Sequence, residues 1–182
     1  MTHRLSRALS NRLGRWWVCI FFGLISVLMF TVLVPNGVDT ITAKRSIAPR
    51  ILDEYYLTWT THQAQALFAS LGVEGRQAYR DFYLRLDFWF PVLTLSVFFV
   101  SLLSLGFPPG SRHTRLNLLP IGMYFFDMFE NLNHFTMAGS YPHLPEVQLA
   151  IGPILTFFKY ALMTVLPLLA LIGFFRQRYQ KS

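Results

Sequence analysis

The chain has 182 residues, 53% of them hydrophobic, 16% aromatic and only 14% charged, with a formal net charge of +7. Soluble domains carry about 25% charged residues, so the composition argues against an ordinary soluble domain and for an integral membrane protein, read as one membrane domain over 1–182. Much of the basic excess lies in short flanks of apolar segments, where it sets topology and gives no reason to expect a nucleic-acid partner.

A bilayer core of about 30 Å needs roughly 20 helical residues to cross, and four segments meet that length. The first, 16–34, follows a flank holding Arg4, Arg7, Arg12 and Arg15. Its length, and the lack of a small-residue cleavage site after it, favour an uncleaved signal-anchor helix over a signal peptide. Cys19, the single cysteine, lies inside this apolar run and cannot form an intrachain disulfide. The loop 35–82 contains a predicted helix from Pro49 to Leu71, with Gly72 as its stop. Leu52, Tyr55, Tyr56, Trp59 and Phe68 give that helix an aromatic side suited to the membrane interface, and Asp53, Glu54 and Gln63 give it polar positions. Packing over the outer end of a bundle is the expected role, ahead of a lid over a site.

The second span is predicted at 83–105, the third at 116–137 and the fourth at 147–175, the last with Pro153 and Pro167 inside it. The expected fold is all-α, a polytopic four-transmembrane-helix bundle with an extracytoplasmic interfacial helix. Arg112 and Arg115 lie between spans two and three, and Arg176, Arg178 and Lys181 end the chain, whereas 138–146 holds no Lys or Arg. Both termini and the 107–115 connection are therefore expected on the cytoplasmic side, with 35–82 and 138–146 outside. The expected location is a cell membrane, read as the bacterial inner membrane.

The third span contains Asp127, Glu130, Asn131, Asn133 and His134. Ionisable residues are costly at bilayer depth and mark a functional site by default. Asp127, Glu130, Asn131 and His134 fall at i, i+3, i+4 and i+7, on one helix face. Counting about 1.5 Å per residue from the cytoplasmic ends puts Asp87 of the second span and Lys159 of the fourth at similar heights. Asp87, Glu130, His134 and Lys159 are thus expected in one layer of the outer half, with Asp127 as its floor and Thr94 level with Asp127. Pro91 and Pro120 are expected to break their helices beside this layer and free carbonyls toward it.

The leading expectation is a pocket that binds, or acts on, a lipophilic molecule, with Asp127, Glu130 and His134 as acid–base residues and Asp87, Asn131, Lys159 and Arg85 as substrate-binding residues. The rival is a structural or assembly subunit of a membrane complex whose charges only pair, Lys159 with Glu130 or Asp127 and Arg85 with Asp87. A metal site is a lesser expectation. Glu130 and His134 are one turn apart, but Asp87 is the only good ligand from another helix and no second intramembrane histidine exists, so no metal ligand is assigned. Haem has only His134 as a deep axial candidate. Proton or ion movement would have only Thr94, Ser101, Ser104 and Asn117 as inner steps. Cofactors are left unknown. The expected partners are membrane lipids, a lipophilic small molecule, and a membrane-protein partner or second copy.

Leu86-Asp87-Phe88-Trp89-Phe90-Pro91, followed by Asp127-Met128-Phe129-Glu130-Asn131, resembles the L-D-x-x-F-P and D-x-x-E-N elements of a family of small four-span bacterial membrane proteins. The segment LGVEGRQAY ending at Tyr79 is also similar, so the resemblance spans about 50–135. It implies the fold and supports the two motifs, and it assigns no reaction. At fold level alone, the chain is similar to the EXPERA proteins, four-helix membrane proteins that include sterol isomerases and keep acidic residues inside the bundle.

Overall fold

The structure is a computed structural model that describes residues 2–43, 50–55 and 57–179. It is 85% helical, with no strand among the described residues. The predicted start at Pro49 lies outside the described residues.

α1 (Thr2–Leu13) turns the basic N-terminal flank into a helix. Its buried Ser6 and Ser10 face the short turn Thr114–Leu118 and α5 (Pro91–Gly106). Ser6 donates to the Thr114 carbonyl at 2.9 Å, and the Asn117 amide donates to the Ser6 carbonyl and to the hydroxyls of Ser10 and Ser104 at 3.0–3.1 Å. Ser104 and Asn117, two of the residues expected as inner steps of a proton path, thus take part in tying α1 to α5.

α2 (Trp16–Leu28) and α3 (Val34–Thr42) form one continuous rod, joined through a π turn at Met29–Leu33. Pro35 has no N–H to give, and just before it the Val34 N–H reaches back five residues to the Met29 carbonyl. The rod therefore runs to Thr42, beyond the predicted end at 34.

α4 (Thr61–Asp81) begins just after its N-cap Thr60, and Leu52–Glu54 of the predicted helix forms only a short 3-10 turn. The Thr60 hydroxyl accepts from the Gln63 N–H and the Gln63 side chain accepts from the Thr60 N–H, a capping box that fixes the start. Gly72, the predicted stop, interrupts the helix: its backbone is non-helical, at φ +63°, and a second helical stretch starts beyond it. Arg76 spans the kink and donates to the Phe68 carbonyl at 2.9 Å. A π turn at Phe82–Asp87 and a short break then precede Pro91, the first residue of α5. The break expected at Pro91 is there. Pro120 instead lies in the first turn of α6 (Leu119–Ser140), where its missing N–H costs nothing. α7 (Glu146–Tyr179) follows, 34 residues or about 51 Å long at the standard rise.

Three rods, Trp16–Thr42, Thr61–Gly106 and Glu146–Tyr179, are long and apolar enough to cross a membrane. Their apolar residues largely face outward: Ile20, Leu24 and Val27 on α2 and Ile154, Leu168 and Ile172 on α7 are exposed. The interior is where the charges lie, the reverse of a soluble protein and the arrangement expected of a membrane protein.

Two apolar clusters bracket those charges. One joins Ile51, Leu52, Trp59, Leu67, Phe68, Tyr79, Tyr83 and Met137. The other joins Val92, Phe99, Leu103, Met123, Leu166 and Ala170. Along α6, Met123 belongs to the second cluster and Met137 to the first, so Asp127–His134 lies between them. Below the second cluster, α5 and α7 meet backbone to backbone, and a Cβ on Gly106 would stand 3.1 Å from the Gly173 Cα.

Candidate functional site

The helical spacing of Asp127, Glu130 and His134 turns all three inward, where each is at most 1% exposed. Lys159 of α7 meets them from across the bundle. Its ammonium pairs with Asp127 at 3.5 Å, with Glu130, and with Asp53 at 3.2 Å. The expected convergence of α6 and α7 is present, and Asn131 donates to Asp127 at 3.2 Å from the same face.

Asp53 is the residue that sequence reasoning missed. It lies in a 3-10 turn, Leu52–Glu54, folded inward against the bundle. Tyr83 donates to its carboxylate at 2.8 Å, and Tyr160 donates to its backbone carbonyl at 2.8 Å. Burial alone pushes the Asp53 carboxyl up, but the Lys159 ammonium and the Tyr83 hydroxyl outweigh it and hold it below the usual carboxylate range. The sequence names Asp53 only as a polar position on an interfacial helix. Its signal would have been an acidic residue directly after apolar Ile51 and Leu52, both buried in the structure.

Trp59 from the same segment is also buried. Its indole N–H donates to Thr156 at 3.1 Å, and Thr156 in turn donates to Glu130. Gly152 leaves room for this, since a Cβ there would overlap the Trp59 ring and the Asn133 amide. Through Asp53 and Trp59 the chain before α4 thus reaches the charged layer, and is more than a cover over the bundle end.

His134 stands behind Glu130 in an aromatic cage, with ring centroids 4.8 Å from Tyr83 and 6.1 Å from both Tyr79 and Trp59. Neither ring nitrogen has a hydrogen-bond partner among the described residues. Leaving a buried polar atom unsatisfied costs about 1–3 kcal/mol, so this arrangement is expensive.

A cavity of about 250 Å³ opens beside the layer. Phe30, Val34 and Val38, Phe82 and Val92, and Met163 give it apolar walls, while Asp53, Asp87, Asp127 and Lys159 give it a charged side. Asp87 is buried and lines this cavity as expected.

Arg85 corrects the sequence reading. Its side chain is 79% exposed and pairs with Asp81 at 3.6 Å, away from Asp87 and the cavity. Two residues apart on a helical turn is about 200°, so Arg85 and Asp87 face opposite ways. Thr94, expected level with Asp127, donates to the Pro91 carbonyl at 2.8 Å and accepts from Ser26 of α2 at 3.2 Å, which joins α2 to α5. His134 is in the layer but is not among the residues lining the cavity. Asn133 joins α6 to α7 by donating to the Gln148 carbonyl at 3.2 Å.

Comparison with family models, with curated proteins and with solved structures finds no match.

Chemically, three carboxylates, of Asp53, Asp127 and Glu130, contact one ammonium, and Glu54 and Asp87 also line the adjoining cavity. Carboxylates this close repel when all are ionised, which favours proton sharing within the group or a further cation.

Proposed function

We propose that the chain is a four-span membrane protein that binds a lipophilic molecule with a polar head in this cavity and acts on it by acid–base chemistry. The observation that carries the reading is one cavity lined both by apolar Phe30, Val34, Val38, Val92 and Met163 and by Asp53, Asp87, Asp127 and Lys159. Such a site takes an amphiphile in one orientation, its head on the charged side. Asp87 and Asp127 hold and move protons at the head, and Glu130 sets the position of Lys159. α6 is the fourth span: its polar side chains point inward, and it turns Phe125, Phe129 and Leu132 outward. Both termini lie on the cytoplasmic side of a cell membrane, and the cavity faces the outer half beneath the 51–54 turn.

The rival reading, an assembly subunit with an ion-paired core, is favoured by the three carboxylates around Lys159. The two part on one experiment. The protein is purified gently in detergent and extracted with organic solvent, and the extract is analysed by mass spectrometry. The pocket reading expects one lipophilic species near one per chain, lost when Val92→Trp fills the cavity wall in a protein that keeps its helix content. An unselective sample of membrane lipid, the same for Val92→Trp as for the unmodified chain, overturns it and leaves the assembly reading.

A further inference from the structure

We propose that Asp53, Glu130 and His134 form a binding site for a divalent first-row transition-metal ion. Each offers one donor atom, and the three donors lie within 4.8 Å of one another. Donors around a shared ion at about 2.0–2.2 Å stand roughly 3–4 Å apart, so side-chain adjustment closes the set. Glu130 and His134 are one helical turn apart and act together. Asp53 adds the ligand from a second element that α6 alone lacks.

An acidic cluster would not carry this inference by itself. His134 does: it is 0% exposed, and both its nitrogens lack a hydrogen-bond partner among the described residues. An imidazole beside two carboxylates suits zinc, iron(II) or manganese(II) better than copper(I), which prefers sulfur ligands. The carboxylates are already oriented from behind. Tyr83 donates to Asp53 at 2.8 Å and Thr156 donates to Glu130, the kind of outer contact that fixes metal ligands.

Lys159 is the competitor, since its ammonium pairs with both Asp53 and Glu130. In the loaded site the ion replaces it there, and Lys159 keeps Asp127, already 3.5 Å away. Three carboxylates against one ammonium leave charge for a second cation. The inference goes beyond the cavity reading, because His134 does not line the cavity.

The test uses the full chain in detergent, stripped with a chelator and titrated with Co²⁺ and then Zn²⁺. Saturable uptake of one ion per chain is expected, with a Co²⁺ visible spectrum that includes nitrogen ligation. His134→Gln and Asp53→Asn should each weaken uptake by at least about tenfold, while Asp81→Asn, an exposed acid, changes nothing. Lys159→Met should tighten it. His134→Gln is the decisive variant, and its fold is checked by circular dichroism. No saturable uptake, or His134→Gln binding as tightly as the unmodified chain, overturns the site and makes His134 a core residue. Lipophile content read on the same preparation keeps this outcome separate from that of the cavity reading.

Discussion

At the scale of single residues, Lys159 is the pivot. It joins α7 to α6 through Asp127 and Glu130, and to the 51–54 turn through Asp53. Removing one partner of a buried ion pair leaves charge uncompensated and costs about 3–5 kcal/mol. Lys159→Met should therefore lower the thermal midpoint sharply, and adding Glu130→Gln should restore part of the loss. A midpoint unchanged by Lys159→Met would mean the carboxylates are already neutralised by protons. Asp53 gives a pH prediction of definite sign. Its carboxyl is held below the usual range in the folded protein, so the stability it adds is complete above the unfolded value of about 3.9 and is lost as pH falls through the lower folded value. Hydrogen exchange of 51–60, corrected for intrinsic rate, should show the segment docked from about pH 7 to about pH 5 and opening only below about pH 4. Opening near neutrality would contradict the Lys159–Asp53 tether.

At the scale of elements, the places where helices bend are the informative ones. Gly72 adopts φ +63°, and a Cβ there would meet nothing within 4 Å. Only backbone strain then opposes a side chain, at about 1–3 kcal/mol. Gly72→Ala should cost that much in a denaturation experiment while leaving the charged layer intact; no cost would mean that the kink relaxes. The elements also mark what the sequence made legible. Hydropathy and length located the apolar rods, and the i, i+3, i+4, i+7 spacing put Asp127, Glu130, Asn131 and His134 on one inward face. Depth counting brought in Asp87 and Lys159, because rise per residue is nearly constant in a helix. The method fails where the chain leaves the helix. Asp53 and Trp59 enter the layer from an irregular segment, and its docking is a tertiary fact with no period to read. Arg85, two residues before Asp87, faces the opposite way and is exposed, which closeness in sequence alone does not show.

At the scale of the whole molecule, exposed apolar side chains on α2 and α7 surround a charged layer that is buried between two apolar clusters. That build predicts a topology. Single cysteines placed in 107–115 and in 138–146, in a background with Cys19 replaced, should label from opposite sides of the membrane, 107–115 from the cytoplasm. Labelling from the same side would remove α6 as a span and with it the four-span bundle. The build also concentrates the account into one claim, that the charged layer serves a ligand and does not only hold helices together. Native mass spectrometry of the unmodified chain and of Asp87→Asn/Asp127→Asn, from the same membranes, tests it most directly. Asparagine keeps the shape of each side chain and removes its proton chemistry and charge. The account predicts a discrete lipophilic adduct on the unmodified chain that is absent from an equally folded double variant. The same adduct on both chains, or none on either, would contradict it.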